Sequence, residues 1–308
     1  MEKEWDKIYM KRALELAAYG AGHVSPNPMV GCVIVSAAGR IIGEGWHRRY
    51  GEGHAEVNAM ASVRKQDEPL LHQATVYVTL EPCSHYGKTP PCAEMLCRKK
   101  VKRVVSGMID PNPKVAGRGL RMLEDSGIEV ESGVLEDECR ALNIRFITAQ
   151  TKRRPWILLK WAEDAYGRLS LPDTTPLQIS TPLSATLMHA QRSCCDAIMV
   201  GTNTLLTDNP SLSNRLWPGN SPRPVIFKSE RIENLDLKVM QQNPIILNPH
   251  LPLEQNMKLL FEEYRITSLM VEGGRRLLDS FICEGLYDSI RIEREINIDH
   301  NTFKIESE

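Results

Sequence analysis

The feature that most restricts how this chain can fold is a set of side chains that must meet although they lie far apart in sequence. The stretch Gly53-His54-Ala55-Glu56 carries an imidazole, and the run from Glu81 to Cys92 carries two cysteines, Cys83 directly behind Pro82 and then Cys92. One imidazole and two thiolates make three protein ligands for zinc, and a tetrahedral ion with three protein ligands keeps a fourth position for water. That open position separates a catalytic zinc from a structural one. Glu56 is then placed as a proton carrier beside the metal rather than as a ligand. The competing possibility is a structural zinc, for which His47 and His85 are the near candidates as a fourth ligand.

The totals fit a soluble enzyme of ordinary size. A chain of 308 residues suggests two domains, each able to bury its own core, and 42% hydrophobic with 25% charged residues marks it as globular. A formal net charge of -1 gives no broad electrostatic case for binding nucleic acid. The charged start, Met1-Glu2-Lys3-Glu4-Trp5-Asp6, does not read as a signal peptide, and no apolar run is long enough to span a bilayer, so the cytoplasm is the expected compartment. Eight cysteines are few for a disulfide framework in a chain this long. Cys32, Cys97, Cys139, Cys194, Cys195 and Cys283 read as small buried apolar residues.

Along the chain, residues 3–19 show helical recurrence closed by Gly20 and Gly22. Strands over 29–35 and 40–46 around Ala38-Gly39 form a hairpin. Helical patterns at 55–63 and from Cys92 to Lys99 place the metal ligands near two helix starts, where unsatisfied N–H groups favour an anionic ligand set. The β-rich run 74–80, strands at 101–109 and 128–134, and helices at 117–127 and 136–148 complete an α/β domain over residues 1–149. The polar, basic segment 150–155 reads as a linker. A second α/β domain, 156–308, follows, with a helix at 182–193, strands at 156–161, 196–200, 225–227, 244–247 and 268–271, and a Glu272-Gly273-Gly274 turn into a helix. No Gly-x-Gly-x-x-Gly is present, which argues against a Rossmann domain.

Ser25-Pro26-Asn27-Pro28-Met29-Val30-Gly31, His54-Ala55-Glu56 and the run Thr79 to Cys92 resemble the bifunctional riboflavin-biosynthesis deaminase/reductase family. The long spacing between Cys83 and Cys92 discriminates, since cytidine and tRNA-adenosine deaminases place these cysteines two residues apart. The resemblance covers nearly the full chain, tightly over 20–120 and more loosely beyond 155. It implies a cytidine-deaminase-like three-layer domain followed by a dihydrofolate-reductase-like α/β domain. The implied first reaction is zinc-dependent hydrolytic deamination of a diaminopyrimidinone ribosylamine 5′-phosphate, with Glu56 moving the proton. Asn27, His47 and Lys88 match substrate-contacting positions, Lys88 facing the phosphate.

The resemblance extends to Asp196-Ala197-Ile198-Met199-Val200-Gly201, Thr204, Asp208-Asn209-Pro210, Leu212 and Arg215, preceded by His189 and Arg192. It implies NADPH-dependent reduction of the ribosyl group to ribityl. NADPH would lie against Ala162, Thr204, Asp208, Gly273 and Gly274, and substrate against Lys160, Arg192, Leu212, Arg215 and Glu272. Arg275 and Arg276 are candidates for reading a 2′-phosphate. The chain departs from the family at Asp164-Ala165-Tyr166-Gly167, at Pro176-Leu177-Gln178 and in a short tail after Tyr287. One alternative is thus a deaminase whose second domain serves assembly; others are a nucleic-acid-acting deaminase and a non-catalytic protein stapled by zinc. The expected partner is a small phosphorylated substrate, with no nucleic acid and no membrane, and the resemblance implies a homo-oligomer.

Overall fold

The computed structural model describes residues 2–86, 90–112, 116–164, 166–169, 181–233, 235–295 and 303–307. Lys88, Ala165 and Pro176-Leu177-Gln178 lie outside the described residues. The chain divides into two compact units, Met1–Thr151 and Lys152–Glu308. Among the described residues, no helix is long and apolar enough to cross a membrane.

The first unit runs α1 (Glu2–Ala18), β1 (Gly31–Val35), β2 (Ile41–Trp46), α2 (Ala55–Ser62), a 3₁₀ helix (Lys65–Gln73), β3 (Thr75–Val78), α3 (Cys92–Lys99), β4 (Arg103–Ser106), α4 (Arg118–Asp125), β5 (Glu129–Ser132), α5 (Glu136–Leu142) and α6 (Ile144–Lys152). The sheet order is β2-β1-β3-β4-β5, with β1 antiparallel to both neighbours and β3, β4 and β5 parallel. Side chains of a strand alternate between faces, and here both faces are covered. Cys32, Ile34, Val76, Val78 and Val104 pack with Ala55, Ala59, Ala93, Leu96 and Leu123 of α2, α3 and α4. Val33, Val35, Tyr77 and Val105 pack with Met10, Ala13 and Leu16 of α1 and Cys139 of α5. The result is a three-layer α/β/α unit.

Two close approaches position the site. A Cβ on Gly45 would stand 2.3 Å from the backbone nitrogen of Ala59, so only glycine lets α2 lie directly on β2. That contact decides where α2 begins, and hence where His54 points. The second is made by Asn143. The sequence pattern suggests one helix over 136–148, whereas the structure has two, broken at Asn143, whose buried side chain accepts from Met29 N (2.8 Å) and donates to Met29 O (2.8 Å). The amide replaces a strand partner for Met29, and the ladder of β1 starts only at Gly31.

The second unit runs β6 (Trp156–Glu163), α7 (Pro182–Ser193), β7 (Ala197–Met199), α8 (Thr202–Asp208), β8 (Arg223–Phe227), a 3₁₀ helix (Lys238–Gln242), β9 (Ile245–Leu247), α9 (Leu253–Glu262), β10 (Ser268–Glu272), α10 (Arg275–Cys283), β11 (Ser289–Glu295) and β12 (Phe303–Ser307). Its sheet order is β12-β11-β6-β10-β7-β8-β9, parallel except for the β11–β12 pair. Apolar residues on both faces of β6, β7 and β10 meet α9 and α10 on one side and α7 and α8 on the other. β11 escapes a sequence reading because Arg291, Glu293 and Arg294 look like surface residues. Glu293 is nevertheless buried against Lys160, 3.4 Å away.

Residues 150–152 belong to α6, and Arg154 is buried. Asp288 accepts from Lys152 Nζ (2.7 Å), Arg154 Nη1 (2.5 Å) and Ile157 N (3.0 Å). Burial alone would raise the Asp288 pKa, but the bonds from Arg154 and Lys152 outweigh it and hold the carboxyl below its usual range. Stabilisation from this group is therefore present above the unfolded carboxyl value and is lost as pH falls through the lower folded value. Asp288→Asn, which leaves Arg154 buried beside a neutral group, should cost roughly 3 kcal/mol at pH 7. Urea unfolding of the two proteins at pH 7 and at pH 3 should show this difference shrinking in acid.

Candidate functional site

In the first unit, three donor atoms converge. His54 is the N-cap of α2 with an extended backbone, and Cys92 is the first residue of α3, behind the N-cap Pro91. Cys83 lies on the irregular segment after β3, rather than on a helix. His54 Nδ1 stands 3.5 Å from Cys83 Sγ and 3.4 Å from Cys92 Sγ. Zinc bonds of about 2.0–2.1 Å to nitrogen and 2.3 Å to sulfur at tetrahedral angles set N···S edges of about 3.6 Å. The donor set therefore fits a tetrahedral zinc, and these three residues are the one metal-ligand cluster among the described residues.

The charges around the donors explain why they want a cation. Cys92 N–H donates to Cys83 Sγ over 3.3 Å. A bond from the Cys92 thiol, followed by the interaction with His54, holds Cys83 well below the ordinary thiol range. The same thiol pairing, reinforced by burial, pushes Cys92 up. His54 is raised, first by its bond to Cys83 and against its own burial. Glu56 is buried in the second position of α2, and burial, then the charge on Cys83, push its pKa up to about 7. A dication among these groups would relieve the repulsion between thiolate and carboxylate.

A cavity of about 240 Å³ opens onto His54, Cys83 and Glu56 and is also lined by Asn27, His47, Asp110 and Asn112. His47 Nδ1 lies 3.1 Å from Gly53 O, an acceptor only, so Nδ1 carries the proton and Nε2 accepts from Asn27 Nδ2 at 3.2 Å. Burial lowers the His47 pKa, and the neighbouring His54 adds to the effect. Asn27 and His47 thus hold one another in a fixed orientation on the cavity wall. Asp110, raised by burial, and Asn112 enter from the end of β4. Both went unread in the sequence, although a Pro-Asn turn after a parallel strand is where such residues gather.

Glu81 holds this assembly in place. Its buried carboxylate accepts from Asp110 N (3.1 Å), Gly117 N (2.9 Å) and Gly119 N (2.8 Å), tying the segment that carries Cys83 to the start of α4.

In the second unit, a cavity of about 990 Å³ lies at the carboxyl ends of β6, β7, β8 and β10. The chain steps outward from β6 through β7, β8 and β9 and returns to insert β10 between β6 and β7, which makes a topological switch point there. Lys160, Ala162, Thr204, Asp208, Glu272, Gly273 and Gly274 all line the cavity. Gly274, at φ 80°, brings the β10–α10 turn against Gly201 and Thr204, and a Cβ there would stand 3.3 Å from Thr204 Oγ1. Arg275 and Arg276 line it as well, together with Arg231, which the sequence reading missed and whose Nη1 donates to Asn203 Oδ1 at 2.9 Å. The volume, the paired glycine turn and the arginines fit a dinucleotide phosphate ligand.

The remaining residues lie elsewhere. Arg192 meets the cavity only through Glu272, donating from Nε to Oε1 at 2.8 Å. Leu212 is buried in the apolar cluster under α7, at φ 52°. Arg215 is exposed, and its backbone N–H donates to His189 Nδ1 at 2.9 Å. Asp164 closes a turn, accepting from Tyr166 N (2.9 Å), Arg168 N (2.8 Å) and Arg168 Nε (2.7 Å).

Comparison with known proteins finds family matches in both units. The family described as cytidine and deoxycytidylate deaminase zinc-binding region matches residues 3–108, and the RibD C-terminal domain matches 155–293. The riboflavin biosynthesis protein RibD of Aquifex aeolicus is 39% identical over 94% of this chain and 86% of its own. That of Bacillus amyloliquefaciens is 34% identical over 92% and 83%. A crystal structure of a diaminohydroxyphosphoribosylaminopyrimidine deaminase/5-amino-6-(5-phosphoribosylamino)uracil reductase from Thermotoga maritima superposes with a TM-score of 0.88 at 36% identity, covering 97% of this chain and 88% of that one.

Glu81→Ala leaves three backbone donors, that of Gly119 buried, without their carboxylate, a loss on the order of 3 kcal/mol. The expected outcome is a lower urea midpoint for the first unit and less zinc per chain by metal analysis.

Proposed function

The chain belongs to the RibD family of bifunctional deaminase/reductases of riboflavin biosynthesis, which pair a zinc-binding deaminase domain with an NADPH-using reductase domain, and from that premise we propose a substrate and a set of residue roles. The first unit deaminates 2,5-diamino-6-ribosylamino-4(3H)-pyrimidinone 5′-phosphate, and the second reduces the ribosyl group of the product to ribityl. The observation that carries this reading is the placement of the buried Glu56 carboxylate in the same cavity as His54 and Cys83, with Cys92 Sγ 3.4 Å from His54 Nδ1.

Zinc bound by His54, Cys83 and Cys92 supplies a nucleophilic water near neutral pH. Glu56 would take one proton from the attacking water and give it to the ring nitrogen, then take the remaining hydroxyl proton and give it to the amino group, which leaves as ammonia as the C=O bond forms. Its burial suits this exchange, because desolvation favours the protonated acid between transfers. Asn27, oriented by the neutral His47, and His47 itself hold the ring edge, and Lys88 meets the phosphate as a point charge.

NADPH supplies the hydride in the second unit. The Gly273-Gly274 turn would hold its phosphates, and Ala162, Thr204 and Asp208 would line the rest of the cofactor site. Lys160, held by Glu293, stands at the reacting ribosyl carbon, and Glu272, fixed by Arg192, orients the sugar hydroxyls. The resemblance also assigns Leu212 and Arg215 to the substrate side, although both lie outside the cavity lining. A homo-oligomer working in the cytoplasm on this small substrate, without nucleic acid or membrane, goes with the reading.

Glu56→Gln should retain zinc at wild-type stoichiometry and lose deamination by a factor on the order of 10² or more; unchanged turnover would leave zinc a purely structural role. Glu272→Gln should lower NADPH oxidation on the deaminated intermediate by about tenfold or more while deamination stays at the wild-type rate. Wild-type protein that deaminates but oxidises no NADPH would make the second unit an assembly domain.

A further inference from the structure

The deaminase cavity has a wall whose role neither the metal chemistry nor the polar contacts explain. Phe146 and Gln150 of α6 line it, four residues apart and so on one face of the helix. Most of the remaining lining is polar or charged, including Asn27, His47, Asp110 and Asn112. Among the described residues, Phe146 is the one Phe, Tyr or Trp in the lining. A pyrimidinone is a flat ring with two apolar faces, and polar groups at its edge cannot cover them. Small-molecule sites combine a few placed polar groups with apolar or aromatic surface, and ring-on-ring contact is the usual way to hold a planar heterocycle.

The position of Phe146 is set from outside the cavity. Asn143, one helical turn earlier, makes the two 2.8 Å bonds to the backbone of Met29, and Pro28 and Asn27 just before Met29 are themselves cavity residues. The opposite face of α6 is held by Thr148 and Ala149, both buried, and by Ile147 packed against the core around α1. The same clamp therefore registers α6 and the Asn27 segment against each other.

We propose that Phe146 is a specificity-determining residue of the deaminase, packing against the face of the substrate ring, and that Asn143 is the positioning residue that sets its distance from Asn27. The proposal rests on the deaminase reading of this cavity. It makes α6 a recognition wall of the metal cavity, separate from the residues that move protons.

The test uses the full-length, zinc-loaded protein with the diaminopyrimidinone ribosylamine phosphate. Phe146→Ala should raise KM by about tenfold or more with kcat within about threefold of wild type and with zinc content unchanged. Phe146→Tyr, which keeps the ring, should restore KM. In a Glu56→Gln background, direct calorimetric binding of the same substrate should weaken by the same factor when Phe146 is replaced by Ala. Asn143→Ala should raise KM similarly, and the double variant should be no worse than Phe146→Ala alone, because the clamp acts through the ring. A KM for Phe146→Ala within twofold of wild type, or a loss confined to kcat, overturns the proposal, whatever the stability of the Asn143 variant. A wild-type chain that does not deaminate would sink the deaminase reading itself, and this inference with it.

Discussion

Burying two thiols and a carboxylate beside one imidazole is unfavourable unless a cation arrives, and the first unit is organised around that conflict. Burial raises Glu56, the bond with Cys83 and then burial raise Cys92, and Cys83 is held down as the one thiolate that the local hydrogen bonds can support. Such a crowd of buried ionisable side chains would separate if the backbone allowed it. It is not allowed to, because each donor is fixed by an element whose place is decided elsewhere. His54 is set by the seating of α2 on β2 at Gly45, Cys92 by the start of α3, and Cys83 by the bonds that Glu81 makes to the start of α4. Rigid placement of unfavourable neighbours is what gives the site its affinity for metal and its proton carrier a task.

The second unit solves a different problem with buried charge. Its cavity floor carries Lys160, paired with Glu293, and Glu272, paired with Arg192 of α7, on strands whose interiors are apolar on both faces. Paired in this way, charges can remain beneath a ligand without each needing water. The glycine turn at Gly273-Gly274 packs closely against the start of α8 at the cavity lining. The departure at Asp164 has a local explanation, since its carboxylate closes the turn back to Arg168.

Much of this was legible in the residues. The metal ligands and Glu56 could be read because their chemistry tolerates few substitutes and their local spacings are distinctive. Most strands could be read from apolar runs. Elements carrying mixed signals escaped: β11, whose charges pair inside the sheet, and the break between α5 and α6, which exists because Asn143 serves Met29. Glu81, Asp110, Asn112 and Phe146 carry no motif of their own, and each matters only through what stands opposite it.

By itself the sequence determined the donor types, the family and the alternation of strands and helices, because these depend on residue chemistry and short-range periodicity. Only the tertiary structure decided that Asn143 would register α6 against the Asn27 segment, that Glu81 would brace the Cys83 segment, and that Arg192 would reach its cavity through Glu272. Those are pairings between residues 36 to 114 positions apart. Nothing in the local pattern ranks one distant partner above another until the sheets and helices have packed and left each buried polar group a single neighbour within reach.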